Sequence, residues 1–226
     1  MQHAQPIAIC GIDTGVGKSV VTGLLARHLL AKGKVVITQK LVQTGCSSRP
    51  EDILVHRKLM GAKWHPLDEE QLTCPCCFPF AASPHLAAEM AGTQIDPAAL
   101  DRATDILTGK CDQLLIEGAG GLLVPLTGEL LLLDYLAGRK YPLVLVTTPR
   151  LGSINHTLLC LEAIKSRRMQ LMGLVYNLYG KYPKEIVKDS LRVFTRSLKR
   201  YGYARPIILL PDIAESSSAN WDLLLS

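Results

Sequence analysis

Gly11-Ile12-Asp13-Thr14-Gly15-Val16-Gly17-Lys18-Ser19 decides how the rest of this chain is read. It fits the pattern GxxxxGK[ST]. Pro6-Ile7-Ala8-Ile9-Cys10 ahead of it reads as a short buried strand. Behind it, Val20 to Leu30 carries apolar residues at helical spacing. Strand, glycine loop and helix is the context this pattern requires. Glycines let backbone N–H groups turn inward around a phosphate, and the helix N-terminus adds its dipole. Gly15, Val16, Gly17, Lys18, Ser19 and Val20 are therefore the candidate phosphate cradle. In it Lys18 reaches the outer phosphates and the Ser19 hydroxyl is a Mg²⁺ ligand. The ligand implied is a nucleoside triphosphate.

Outward from that loop, strands and helices alternate. Lys34 to Gln39 reads as a second strand, Gln113 to Ile116 as a third ending at Glu117, and Leu143 to Thr147 as a fourth. Leu171 to Tyr176 and Pro206 to Leu210 are the fifth and sixth. Helices are expected over Glu51 to Met60, Pro84 to Met90, Pro97 to Leu107, Ile154 to Arg167 and Lys184 to Tyr201. Residues 61 to 83, with Pro66, Pro75 and Pro79, read as irregular. The strands are continuous apolar runs, which points to a mainly parallel α/β sheet covered on both faces. No linker divides the chain, so residues 1–226 are expected to form one domain.

Composition narrows the function classes. A chain of 226 residues that is 48% hydrophobic can bury a sizeable core without staples. The net charge of +5 is weighted toward Lys181, Lys184, Lys188, Arg192, Arg196, Lys199 and Arg200. At helical spacing these read as a solvated face, and no nucleic-acid partner is expected. No apolar run approaches the roughly 20 residues that span a bilayer, so no membrane partner is expected. Seven scattered cysteines and a short polar start point to a reduced, cytoplasmic setting. Cys74-Pro75-Cys76-Cys77 has zinc-like spacing, but no second CxxC or HxxxH pair accompanies it. It reads as a reduced loop.

In a parallel sheet, ligands sit beyond the carboxyl ends of the strands. Distinctive polar residues stand at those ends here. Lys40 and Thr44 follow strand two; alone, such a lysine is either a solvated side chain or a cation for a transferring group. Asp52, at a helix start, is either a dipole-complementing acid or a metal ligand. Glu117-Gly118-Ala119-Gly120-Gly121 follows strand three, where an acid is the usual second Mg²⁺ anchor in such proteins. Leu151-Gly152-Ser153-Ile154-Asn155-His156 follows strand four. Ser153 either caps that helix or helps its N-terminus receive a carboxylate, and His156 is either a base or a surface histidine. Asn177, Pro211 and Asp212 follow strands five and six, where amide and backbone groups suit a nucleobase edge.

Taken together, the Gly11–Ser19 loop, Lys40 to Gly45, Ser83-Pro84-His85, Glu117 to Pro125 and Leu151 to His156 resemble the dethiobiotin synthetase family. The resemblance runs over residues 7 to 213, in order. It implies a three-layer P-loop NTPase fold and an ATP-dependent ligase. That ligase takes 7,8-diaminononanoate, CO₂ and ATP to dethiobiotin, ADP and phosphate, with Mg²⁺. It implies Lys18, Lys40 and Thr14 as catalytic groups, and Ser19, Asp52 and Glu117 around the metal. Gly118, Ala119, Gly120, Asn177, Pro211 and Asp212 fall to the nucleotide. Thr14, Lys40 and Thr44 fall to the diamine and its carbamate. It further implies a homodimer in which Leu151, Gly152, Ser153, Ile154 and Asn155 of a second copy receive the substrate's carboxylate tail.

The chain departs from the family pattern at Ile12, Ser19, Leu41 and Leu178, and in its cysteine-bearing loop from Gln71 to Ala82. Leu178 stands where an acid often helps select the base, which leaves ATP and other triphosphates both open. The rival class is an ATP-switched dimeric ATPase of the partitioning type, or a nucleotide-binding scaffold of the same fold. The switches carry an extra lysine near the start of the loop, where this chain has Asp13.

Overall fold

The computed structural model describes residues 5–46, 48–212 and 219–225. β1 (Ile7–Gly11) lies inside a six-stranded sheet. It pairs in parallel with β5 (Gln113–Gly121) on one side and β6 (Leu143–Thr147) on the other. β2 (Val36–Lys40) continues the sheet beyond β5. On the other side β7 (Leu171–Asn177) and β8 (Ile207–Leu210) follow, again parallel. Every residue of β1 and β6 is buried, as expected for strands covered by helices on both faces. Because the strand order runs outward in both directions from β1, a crevice opens beyond its carboxyl end.

α1 (Lys18–Ala31) follows the glycine loop, and α2 (Glu51–Met60) packs on it. The approach is close because Gly23 offers no side chain; a Cβ there would fall 2.8 Å from Leu59 Cβ. That contact brings the first turns of both helices to the same crevice. α5 (Pro97–Thr108), α7 (Ser153–Ser166) and α8 (Lys184–Arg200) complete the layers. α8 buries Phe194 and Leu198, and Phe194 meets Tyr176 of β7 edge-on, with ring centroids 5.5 Å apart. Its basic residues lie on the other side, the pattern of a solvated helix face. Among the described residues no helix is long and apolar enough to cross a membrane.

Two expectations need correction. The third predicted strand does not stop at Ile116. β5 runs on to Gly121, because Lys40 pairs with Glu117 on one side and Gly11 with Gly121 on the other. Beyond Glu117 the strand passes through an irregular step, with Gly120 at φ +60°, before Gly121 rejoins the ladder opposite Gly11. Residues 61 to 83 are also more ordered than their prolines suggest. They contain α3 (Pro66–Glu69) and β4 (Cys76–Phe78), and β4 pairs in parallel with β3 (Val42–Thr44) as a separate small sheet. α3 is capped by His65, whose Nδ1 accepts the Leu67 N–H at 3.1 Å. α4 (Pro84–Met90) follows as expected, while α6 (Leu132–Gly138) and α9 (Asp222–Leu225) had no clear sequence signal.

Candidate active site

A cavity of about 860 Å³ opens over the carboxyl ends of β1, β2 and β5. Its floor is the glycine loop between β1 and α1. Gly17 has φ +96°, and a Cβ there would fall 2.4 Å from Asn177 Nδ2. Only glycine meets both conditions. Asn177 braces this loop from behind: its Nδ2 donates to the Val16 carbonyl at 3.0 Å, and its Oδ1 accepts the Tyr179 N–H at 3.1 Å.

Lys18 folds back over the loop and donates to the Asp13 carbonyl at 2.9 Å. Burial, with Lys40 nearby, pushes its pKa down. The lysine is thus a desolvated cation whose charge favours an arriving anion, as a phosphate cradle requires.

Register places the second lysine. Lys40 ends β2 directly opposite Glu117 in β5. Its Nζ donates to Glu117 Oε1 at 2.7 Å and to the Gly118 carbonyl at 3.1 Å, and lies 2.7 Å from Asp52 Oδ2. Burial opposes its charge, but Glu117 and Asp52 outweigh that and raise its pKa. In return, Lys40 and His56 outweigh the burial of Glu117 and hold its carboxyl at about 2. Ser19 Oγ donates to Asp52 Oδ1 at 2.6 Å and lies 3.0 Å from Glu117 Oε1.

Ser19, Asp52 and Glu117 therefore meet, although they are far apart in sequence. One hydroxyl and two carboxylates are hard oxygen donors suited to Mg²⁺, which takes its remaining ligands from phosphate and water. Among the described residues no three His, Cys, Asp or Glu side chains are arranged to hold a metal by themselves. The set accordingly fits an ion that shares its ligation with a triphosphate. Thr14, Thr44, Ala119 and Gly120 line the same cavity. Leu151 to Asn155, Asn177, Pro211 and Asp212 do not line it.

Further side chains, unmarked by any motif, complete the site. His56 is fully buried, and its Nε2 sits 2.7 Å from Glu117 Oε2. Its i+4 spacing from Asp52 places both on one face of α2, a signal that was available in the sequence. Arg150 pairs with Asp13 and holds the Asp13 carboxyl below its usual range. Gln43 Oε1 accepts the Asp52 N–H at 3.4 Å. His156 lies 3.9 Å from Asp13 on the protein surface rather than in the cavity.

A parallel sheet, a glycine cradle, two buried lysines and an acid–hydroxyl cluster at the strand ends define a P-loop nucleotide-binding protein. Residues 5–211 match the family model described as an AAA domain. The chain is 51% identical to the ATP-dependent dethiobiotin synthetase BioD of Chlorobaculum tepidum, over 92% of this chain and 87% of that protein. It is 46% identical to the ATP-dependent dethiobiotin synthetase BioD 2 of Haemophilus influenzae, over 80% and 95% of the two chains. For the Pasteurella multocida BioD 2 the identity is 42%, over 88% and 93%. This chain belongs to the dethiobiotin synthetase family. Among solved structures it resembles a chain of the Aquifex aeolicus MinC:MinD cell division protein complex, with TM-score 0.57 and 16% identity over 98% and 85% of the chains. It also resembles Pyrococcus horikoshii septum site-determining protein MinD, with TM-score 0.53 and 20% identity over 92% and 81%. At those identities the likeness is one of fold.

Proposed function

We propose that the protein closes the ureido ring of dethiobiotin from 7,8-diaminononanoate, CO₂ and a nucleoside triphosphate, ATP being the co-substrate its family uses. The observation that carries this reading is Lys40, a buried cation held between Asp52 and Glu117 in the same cavity as the phosphate loop. Phosphoryl transfer needs positioning and charge neutralisation more than covalent help. One amine of the substrate captures CO₂ as a carbamate. A carbamate oxygen attacks the γ-phosphorus and ADP leaves, giving a carbamic–phosphoric anhydride. The second amine attacks the carbamoyl carbon, the ring closes, and phosphate departs.

In that sequence Lys18 neutralises the outer phosphates and Lys40 the carbamate with its developing phosphoryl charge. Thr14 and Thr44 hydrogen-bond the carbamate and diamine from the cavity wall. Ser19, Asp52 and Glu117 would hold Mg²⁺, which when bound screens phosphate charge. Gly118, Ala119 and Gly120 bring backbone close to the nucleotide, and Asn177, Pro211 and Asp212 lie toward its base. The protein is assigned a cytoplasmic, homodimeric state. Three observations support the second copy: Leu151 is 87% exposed, and Leu123 and Leu159, both largely exposed, flank Asp13 and His156 in a shallow cavity. A second subunit over this face would cover these side chains and lend Leu151 to Asn155 to the neighbouring site.

The partitioning-type alternative has less support. Asp13 replaces the signature lysine, and it is already engaged by Arg150. The deciding assay supplies the diamine and bicarbonate with Mg²⁺ and ATP, GTP or CTP in turn. Dethiobiotin formation matched by diamine-dependent phosphate release is expected, and the three triphosphates settle base preference. Absence of that release with all three would overturn the reading.

His56 is expected to act through Glu117, as a positioning residue. His56→Leu removes the 2.7 Å contact to Glu117 Oε2. The Mg²⁺ concentration giving half-maximal activity should rise about 10-fold or more, as for lost outer-shell partners. The unfolding temperature serves as the control. An unchanged Mg²⁺ dependence would remove His56 from the site.

A further inference from the structure

Thiols that the proposed reaction leaves unused converge beside the site. Cys46 follows β3, while Cys74 and Cys77 lie before and within β4. The Cys46 N–H donates to the Phe78 carbonyl at 3.0 Å, which ties the two segments together. With all thiols neutral, Cys74 Sγ is 3.5 Å from the Cys76 carbonyl and Cys77 Sγ 3.8 Å from the Cys46 carbonyl. Cys74 Sγ thus lies against the peptide that joins Cys76 to Cys77, and Cys77 Sγ against the backbone of Cys46, so the three residues form one cluster.

Access is unequal. Cys77 is partly exposed and lines a cavity of about 500 Å³ together with Cys46 and Cys76. Cys74 is 3% exposed. An accessible thiol beside a sheltered one, in C-x-x-C order, is the arrangement of an attacking and a resolving cysteine. Hydrogen bonds from Cys74, and from Cys46, outweigh burial and pull the Cys77 thiol down to about 6. The same contact and burial push Cys74 up.

We propose that Cys74 and Cys77 form a redox-active dithiol that closes to an intramolecular disulfide and thereby disables the neighbouring site. The co-reactant is a low-molecular-weight disulfide, RSSR. The Cys77 thiolate attacks one of its sulfurs; a Cys77–SR bond forms, the RS–SR bond breaks, and RS⁻ leaves to take up the proton Cys77 lost. Cys74, on losing its proton, attacks Cys77 Sγ; the Cys74–Cys77 bond forms and the second RS⁻ leaves with that proton. Two protein thiols are oxidised, and RSSR is reduced to two RSH.

The coupling to the site is short. Thr73, next to Cys74, accepts the Lys40 N–H at 2.8 Å. Cys77 stands opposite Gln43 in the β3–β4 pairing, and Gln43 holds the Asp52 N–H. Drawing Cys74 and Cys77 together shifts both supports of the Lys40–Asp52 pair. The dithiol itself stands on these contacts alone, whereas its effect on turnover rests on the function proposed above.

The test incubates the full chain with oxidised glutathione, blocks remaining thiols with an alkylating agent and maps peptides by mass. A Cys74–Cys77 link is expected, reversed by dithiothreitol. Cys74→Ser should instead retain glutathione on Cys77. Free Cys74 and Cys77 after treatment, a Cys46–Cys77 link, or a wild-type protein that stops at the glutathione adduct would each overturn the assignment. None of these readouts depends on the reaction catalysed, so their failure leaves the functional reading intact. In the activity arm, diamine-dependent phosphate release should fall on the order of tenfold or more, as expected for a sub-ångström to ångström misplacement of a catalytic group. Dithiothreitol should restore it, and Cys77→Ser should keep basal activity and lose the response. A quantitative link with unchanged activity would overturn the switch.

Discussion

Lys40→Ala is expected to lower diamine-dependent phosphate release by about 10²–10³-fold, the usual loss when a preorganised charge-stabilising group is removed from a transition state. Nucleotide affinity should change little, because Lys18 and the loop backbone remain. The physical reason lies in where Lys40 stands. It is 5% exposed, and its ammonium is held 2.7 Å from both Asp52 and Glu117. Its charge is buried and already in place, and costs no reorganisation when phosphoryl charge develops. Turnover is measured with saturating substrates, and affinity by titrating the triphosphate without diamine. Removing the ammonium also leaves two carboxylates without their cation. Lys40→Met, which keeps the apolar stem, and a thermal unfolding curve separate that loss from catalysis. Near-normal turnover in a folded variant would remove Lys40 from the mechanism.

Asp68→Ala should destabilise the protein by about 3–5 kcal/mol, the cost of breaking a buried ion pair by removing one partner. Asp68 receives Arg57 Nε at 2.9 Å and Nη2 at 2.6 Å, the Thr73 hydroxyl at 2.6 Å and the His65 N–H at 2.7 Å. Burial alone would raise its pKa. Arg57, Thr73 and His65 prevail, and the carboxyl is held below the usual range. A depressed folded-state pKa stabilises above the unfolded value and loses that contribution as pH falls through the folded value. The stability gap between wild type and Asp68→Asn should therefore be full at neutral pH and should narrow below about pH 4. Denaturant unfolding across pH measures it, and a gap independent of pH would show that Asp68 carries no charge-linked stability. The pair matters for function because it anchors Thr73, whose carbonyl holds the Lys40 backbone.

The two networks differ in how legible they were. The phosphate loop is local: its glycines, lysine and serine follow one another, so spacing suffices to read them. Lys40 and Glu117 could be named as candidates because strand ends are where parallel sheets place ligands, and Asp52 because it is an acid in the first turn of a helix. Each had a plain alternative that sequence could not remove on its own. Glu117 illustrates why: it reads as the end of its strand, yet Gly121 still pairs with Gly11, so Glu117 lies within β5, opposite Lys40. His56 shared a helix face with Asp52 but gave no sign that it would meet Glu117, 61 positions away. The Arg57–Asp68 pair joins a helix to a segment whose prolines suggest irregular backbone, because capping and burial outweigh such local signals.

Sequence by itself determined the alternating parallel sheet, the phosphate loop and the family, since all three rest on local spacing and order along the chain. Only the tertiary structure decided which polar residues act together. Strand register sets Lys40 against Glu117, helix packing at Gly23 brings Asp52 to Ser19, and the β3–β4 pairing gathers three thiols beside them. Those contacts join residues distant in the chain, and only the packed backbone brings them within a few ångströms.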